Sequence, residues 1–312
     1  MDTKTVDGRI AVVDMARFYA IALVFYGHFI EEFMLLKNAA AASQYRFVYA
    51  FHMVLFIVIA GYVSKESEVA WPVARFLRHR FFSRLLPFLF FTGLMMIPPV
   101  FFDGKFYGLE LPSLAGYGRG LLNTAFGLPS FCVPSWFLLL IIGVELVHFA
   151  VFRFLRPSNL RILVAIPLFY LIGYELNLRL DIVNPLKGRL VGWNYFFIHE
   201  AITLYAFYLI GIYLRRMGFL VRWPSAGKMA AAAATAFLVV LFTYRLNIGP
   251  FNFAPYQAVV IMFASHGHIL LFPLTSLAGS ALILLLAGLT PRIRAINWLG
   301  SNTPVSYTHL RA

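Results

Sequence analysis

Charge is scarce in this chain of 312 residues: only 12% are Asp, Glu, Lys or Arg, whereas 61% are hydrophobic and the mean hydropathy is +0.78. The apolar share of a soluble domain is roughly 45–50%, so this composition exceeds what a soluble protein of this length can bury. Cysteine is also nearly absent, because Cys132 stands alone. A single cysteine excludes an internal disulfide framework and a metal cluster built on cysteine. The composition therefore predicts a protein with many membrane spans.

Acidic residues are half as numerous as basic ones, 13 against 26, which gives a formal net charge of +13. In a nucleic-acid-binding protein such an excess clusters on one soluble face, but here Lys and Arg lie in short connections between apolar runs. About twice as many fall on one side of the predicted membrane as on the other, and the richer side is normally cytoplasmic. We predict an integral protein of the inner cell membrane, surrounded by lipid, with a cytoplasmic N-terminus and no nucleic-acid partner.

Apolar runs long enough to cross about 30 Å of hydrocarbon recur along the chain. They cover residues 10–34, 45–64, 82–102, 134–152, 160–176, 195–214, 229–246 and 268–289. No separate soluble domain and no fixed-period repeat interrupts them. The fold class is therefore an all-α membrane protein, a polytopic helical bundle. The first run has no cleavage site of small residues, so we expect it to remain as a signal anchor.

The first run contains Arg17 and His28, whose separation of 11 residues is close to a whole number of helical turns. At about 100° per residue their side chains fall within roughly 20° of one helix face, about 16 Å apart along the axis. Ionisable residues inside a membrane are costly, which favours a functional role. A purely structural alternative is that Asp14 neutralises Arg17 and that a glutamate at 31 or 32 neutralises His28.

Five segments resemble, in order, the motifs of the integral-membrane acyltransferase-3 family, whose members O-acylate sugars. They are Asp14 to Phe29, Phe51 to Tyr62, Arg80 to Pro87, Ser135 to Leu138 and Trp298 to Thr303. Phe18 replaces a usual glycine, Ala60 replaces a serine, and Arg80 and Arg84 are separated by three residues where many members have two. Within this family, the chain resembles the sugar O-acetylase type and is similar to fucose 4-O-acetylase-like proteins.

The resemblance implies acyl transfer from a thioester to a sugar hydroxyl, which needs a base for the hydroxyl proton. It assigns His28 as that base, with Arg17 and Asp14 as the other catalytic candidates. Basic residues at the cytoplasmic mouth of the third run are the candidates for the donor phosphates: Arg78, Arg80 and Arg84. The alternative for these three is a topology signal alone.

On the acceptor side we place His52, Trp136 and Glu145, with Glu145 three residues before His148 on one helix face. Each of these side chains is also compatible with simple packing. Two connections are expected to contribute to the same side: residues 103–133, as a lid or an aromatic interfacial loop, and residues 247–268, as a re-entrant or interfacial segment. No spacing of His, Asp and Glu resembles a zinc site, so we predict no metal.

The family has a further apolar helix where residues 306–312 turn polar. This pattern indicates a single acyltransferase domain over 1–305, with eight or nine of ten spans present, the last one truncated, and a non-native tail over 306–312.

We therefore predict an acetyl-CoA-dependent O-acetyltransferase that acts on an envelope saccharide, an exopolysaccharide or a lipid-linked precursor. A transporter whose permeation path is lined by Arg17, His28, Glu145 and His148 is the main alternative, although the chain lacks inverted repeats. A non-catalytic scaffold is the third hypothesis, and it leaves the charges of the first helix unexplained.

Overall fold

The computed structural model describes residues 11–101, 113–178, 195–221, 224–248, 257–291 and 293–301. This part of the chain is helical, and its only β pairing is an isolated bridge between Val260 and Ser265. The α-helices are α1 (Ala11–Leu35), α2 (Ala39–Tyr49), α3 (His52–Val63), α4 (Val73–Arg80), α5 (Leu86–Met95), α6 (Pro98–Phe101), α7 (Leu114–Ala125), α8 (Trp136–Leu155), α9 (Asn159–Leu178), α10 (Ile198–Arg216), α11 (Ala226–Thr243), α12 (Leu271–Leu289) and α13 (Arg294–Ser301).

Within the described ranges, seven helical segments are long and apolar enough to cross a membrane. They are α1, α2 together with α3, α8 with the short turn before it, α9, α10 with the turn before it, α11 and α12. Each coincides with one of the apolar runs in the sequence. The all-α polytopic fold class is thereby confirmed.

The apolar run predicted over 82–102 has different bounds in the structure. Helix α4, a π-helical turn at Phe81–Leu85 and α5 follow one another without a break, from Val73 to Met95. At 1.5 Å per residue this helix is roughly 34 Å long. It begins before the predicted run because its first turns carry arginines, which a hydropathy window counts against a span.

The chain divides into two compact units. The first unit comprises Met1–Ser64, Ile162–Ile166 and Ala206–Ala312, and the second comprises Lys65–Arg161 and Pro167–Tyr205. In the first unit, α1 packs against α2, α3, α12 and α13, and α12 also packs against α11. In the second unit, the α4–α5 helix packs against α8. The prediction of a single domain over 1–305 remains a prediction, and the tail at 306–312 lies outside the described residues.

Glycines bring helix backbones of the first unit into direct contact. A Cβ on Gly61 would overlap the carbonyl oxygen of Tyr208, and a Cβ on Gly211 would overlap that of Val58. The pair therefore forms a reciprocal crossing between α3 and α10. The hydrophobic effect does not drive helices together in lipid. Small residues at a crossing allow close van der Waals packing of the backbones, which stabilises the contact instead. Gly61 belongs to the second motif of the sequence. The close contact explains why this position of the motif has no side chain.

The two irregular connections are only partly described. Residues 103–112 and 249–256 lie outside the described residues, but α7 (Leu114–Ala125) lies within the stretch predicted as a lid or an aromatic interfacial loop. Between 257 and 266 the chain is non-helical apart from one 3-10 turn, and most of its side chains are buried. Buried irregular backbone is the form in which such a segment is tolerated at membrane depth, as a re-entrant segment requires.

The glycine crossing gives a direct test. We expect Gly211→Ala to destabilise the protein by about 1–3 kcal/mol, because the new methyl group forces two backbones apart. Gly227→Ala is the control, since a Cβ there meets nothing within 4 Å and alanine is the better helix former. The measurement is the temperature at which each detergent-solubilised variant loses its monodisperse elution peak. Equal temperatures for the two variants would contradict the close crossing.

Candidate active site

Arg17 is buried near the beginning of α1, with 4% of its surface exposed. Its Nη1 lies 3.1 Å from Oδ1 of Asp14, one turn earlier on the same helix. The backbone of Asp14 is in turn approached by Gly300 of α13 so closely that a Cβ on that glycine would overlap the Asp14 carbonyl oxygen. The ion pair is thus held where two of the sequence motifs meet.

His28 differs from Arg17 in burial, although the two were expected to share a helix face. The His28 side chain is 45% exposed, and its Nδ1 lies 3.2 Å from Oε2 of Glu31. A carboxylate beside Nδ1 accepts a hydrogen bond from Nδ1–H, which leaves the lone pair of the neutral imidazole on Nε2. The glutamate that could merely have neutralised the histidine is therefore placed to orient it.

His52 lies in the same unit as His28. Gly27, the chain neighbour of His28, abuts the ring of Tyr49, and His52 contacts the same ring. His52 is buried, its Nδ1 is 2.9 Å from the carbonyl oxygen of Val48, and its ring meets that of Tyr49 edge to face with centroids 4.7 Å apart. The structure thus brings the candidate base and one acceptor-side candidate together.

A buried network of two arginines and two glutamates lies in the second unit. Arg84 Nη2 is 2.9 Å from Oε1 of Glu145, and Arg80 Nε is 3.0 Å from the other oxygen of the same carboxylate. Arg80 Nη2 also lies 2.5 Å from Oε2 of Glu68. All four side chains are less than a tenth exposed. The network carries no net formal charge, which is the condition for holding two cations in an apolar interior.

This network brings together two candidates that the sequence assigns to different sides. Glu145, an acceptor-side candidate, lies 2.9 Å from Arg84, a candidate for the donor phosphates, and both assignments stay predictions. Glu145 also lies at the middle of α8, and Arg84 at the middle of the Val73–Met95 helix. Arg84 therefore lies deep along its helix. Sequence analysis missed Glu68, because a residue in a 3-10 turn outside the apolar runs has no spacing that connects it to Arg80.

The remaining candidates have separate surroundings. Arg78 is exposed, with its guanidinium 6.0 Å from the ring centroid of Phe82. It lies on an open groove of about 390 Å³ between α4 and α8, whose other lining residues are Leu77, Arg80, Phe81, Leu85, Ile142 and Leu146. Trp136 is partly buried and packs edge to face on Phe197 at 5.6 Å. Among the described residues no three His, Cys, Asp or Glu side chains form a group suited to a metal ion.

The family model described as an acyltransferase domain, Acyl_transf_3, matches residues 10–307, nearly the whole chain. The chain belongs to the acyltransferase-3 family. It is therefore a membrane acyltransferase, and the transporter hypothesis receives no support from this match. Comparison with curated proteins and with solved structures gave no match.

A π-turn overlaps the interval between the two buried arginines of this acyltransferase. A π-turn closes i→i+5 hydrogen bonds and so contains one residue more than an α-turn. The turn at Phe81–Leu85 begins directly after Arg80 and includes Arg84. Residues four apart lie on about the same helix face, and in this structure both guanidinium groups reach Glu145.

Removing the charge of the shared carboxylate should show how much the network stabilises the fold. We expect Glu145→Gln to destabilise the acyltransferase by about 3–5 kcal/mol, because two buried arginines lose a counter-charge. Glu66→Gln is the matched control: its 3.8 Å pair with the exposed Arg156 is expected to contribute less than about 1 kcal/mol.

Thermal unfolding can be followed by the reaction of a thiol-specific dye with Cys132, the single cysteine, which is only partly exposed in the folded protein. The double variant Glu145→Gln/Arg84→Gln should recover part of the loss, since it removes one unpaired cation. Equal unfolding temperatures for Glu145→Gln and Glu66→Gln would show that the network does not stabilise the fold.

Proposed function

We propose that this acyltransferase moves an acetyl group from cytoplasmic acetyl-CoA to a hydroxyl of an envelope saccharide, an exopolysaccharide or a lipid-linked precursor. The observation that carries the proposal is the pairing of His28 with Glu31 on α1 of a membrane acyltransferase. An exposed imidazole whose Nδ1 is engaged by a carboxylate is the arrangement of a general base. The inner-membrane location and the cytoplasmic N-terminus belong to the same proposal.

The reaction follows from the free nitrogen of that imidazole. Nε2 of His28 takes the proton of the acceptor hydroxyl as its oxygen attacks the thioester carbonyl. The C–O bond forms, the C–S bond breaks, and the imidazolium returns the proton to the departing thiolate of CoA. Glu31 stabilises the imidazolium between these two steps and keeps the ring in the useful tautomer. Histidine suits both transfers because its ordinary pKa lies near neutrality.

Arg17 and Asp14 have a positioning role in this proposal. An arginine presents several N–H groups in a fixed fork, and Asp14 holds one side of that fork at 3.1 Å. We propose that the guanidinium orients a polar part of the donor arm that lies away from the reacting carbonyl, such as a pantetheine amide. A lysine would offer a point charge without this geometry.

Arg78 is the arginine best placed to receive the CoA phosphates. It is exposed beside an apolar groove, whereas Arg80 and Arg84 are buried and engaged by carboxylates. A phosphate competing for the latter would have to displace Glu145 or Glu68. In this proposal Arg80 and Arg84 do not contact the donor, and their role is to hold their helix in place. His52 and Trp136 stay acceptor-side candidates.

The base is tested by three single variants. His28→Ala should lower the turnover number by about 10²–10⁴, the usual cost of losing a general base. Glu31→Gln should cause a smaller loss, because the amide can still contact Nδ1 but does not stabilise an imidazolium. Glu32→Gln, which removes the neighbouring exposed carboxylate, is the control and should retain wild-type turnover.

The assay is transfer of labelled acetyl from acetyl-CoA to envelope glycan by purified protein in lipid nanodiscs. Full activity of His28→Ala would remove this histidine from the mechanism. Equal losses of turnover for the variants at 31 and 32 would show that Glu31 acts only through its negative charge and not through its contact with Nδ1.

The donor site is tested by substituting, one at a time, two exposed arginines of α4. Arg78→Gln should raise the KM for acetyl-CoA with little change in turnover, because a lost phosphate contact weakens ground-state and transition-state binding alike. Arg75→Gln is the control, since the guanidinium of Arg75 lies 4.4 Å from the ring centroid of Trp71. The same KM for both variants would exclude Arg78 as the phosphate contact.

A further inference from the structure

Two arginines of the first unit are held by neutral groups. Arg46 of α2 donates from Nη2 to Oε1 of Gln257 at 2.7 Å. Arg245, just beyond α11, donates from Nε to the Tyr244 hydroxyl at 2.7 Å and from Nη2 to Oγ of Ser43 at 3.2 Å. Ser43 and Arg46 are three residues apart on α2 and so lie on one face of that helix. The two guanidinium groups therefore flank a single polar surface.

This surface has an excess of positive charge. Within the described ranges neither arginine has a carboxylate within 4 Å, whereas Arg17, Arg80 and Arg84 all do. Arg245 is exposed and Arg46 is partly so. Nε of Arg46 is shielded from solvent and has no hydrogen-bond acceptor in the described part of the chain. Two neighbouring cations with neutral partners form a positive surface that attracts anions.

The surface lies at nearly the same depth as His28. Helices α1 and α2 run antiparallel, and Gly27 abuts the ring of Tyr49, while Ile30 packs with Tyr45. Arg46 is therefore opposite residue 30 of α1, about 3 Å from His28 along the helix axis at 1.5 Å per residue. A group bound at the arginines would be one sugar ring or less in depth from the candidate base.

We propose that Arg46 and Arg245 bind an anionic group, a carboxylate or a phosphate, carried by the acceptor saccharide. This inference rests on the proposed function, because it assigns the class of acceptor: an acidic or phosphate-linked saccharide in place of a neutral one. Guanidinium groups match the oxygens of both anions with paired hydrogen bonds. Gln257, Ser43 and the tyrosine hydroxyl supply further polar contacts for sugar hydroxyls. The anion fixes the saccharide so that one hydroxyl faces Nε2 of His28.

The test measures binding without any acyl donor, so it does not depend on turnover. The full chain in nanodiscs of neutral phosphatidylcholine is titrated with methyl glucuronide, glucose 1-phosphate and methyl glucoside. Wild-type protein should bind one or both anionic probes more tightly than the neutral glucoside. In Arg46→Gln/Arg245→Gln the affinity for the preferred anion should fall by roughly tenfold or more, and the affinity for the glucoside should not change.

The control Arg75→Gln/Arg153→Gln removes the same formal charge from exposed arginines of the second unit and should bind the anion like the wild type. His28→Ala should also bind it normally, so loss of transfer in that variant cannot be mistaken for loss of the anion site. The stronger response, to glucuronide or to the phosphate, identifies the source of the negative charge.

Three results would overturn the proposal. One is equal wild-type affinity for all three probes. Another is equal weakening of anion binding in the two double variants. The last is a dependence on Arg46 and Arg245 that is seen with phosphatidylglycerol in the nanodisc and with none of the sugars, which would assign the surface to lipid headgroups.

Discussion

The buried ion pair between Arg84 and Glu145 is the interaction on which the second unit depends. A guanidinium in an apolar interior is tolerated only with a counter-charge and well-formed hydrogen bonds, and here one carboxylate serves two arginines at 2.9 and 3.0 Å. This sharing fixes the rotation of the α4–α5 helix against α8. The four-residue spacing of the arginines meets the same requirement, because it places both guanidinium groups on the helix face that meets one carboxylate.

In the first unit the equivalent constraint acts through backbone contact. Gly300 approaches the carbonyl of Asp14, and Gly61 and Gly211 join α3 to α10. Because lipid offers no hydrophobic drive between helices, such close approaches determine which helices pack together. The Asp14 and Arg17 pair is therefore positioned by α13, far along the chain, and the last motif acts on the first helix.

Local features of the sequence were predictive, and long-range pairings were not. The apolar runs gave the helices, and the spacings of three residues gave the pairs of Asp14 with Arg17 and of His28 with Glu31, since both lie within one helical turn. The pairing of Glu145 with Arg80 and Arg84 was not predicted, because a sequence does not show which helix faces which. The pairing of Glu68 with Arg80 depends on a short 3-10 turn, and no periodicity predicts that turn.

The surroundings of each arginine distinguish those that hold helices together from those that can bind a substrate anion. Composition alone does not make this distinction. Arg17, Arg80 and Arg84 are buried and paired with carboxylates, so an incoming anion would have to break an ion pair in a medium that screens charge poorly. Arg46, Arg78 and Arg245 are at least partly exposed and have aromatic or neutral neighbours among the described residues. An anion can bind to these without displacing a carboxylate. Substrate anions are therefore expected at the second group, while the first group maintains the geometry of the helices that present them.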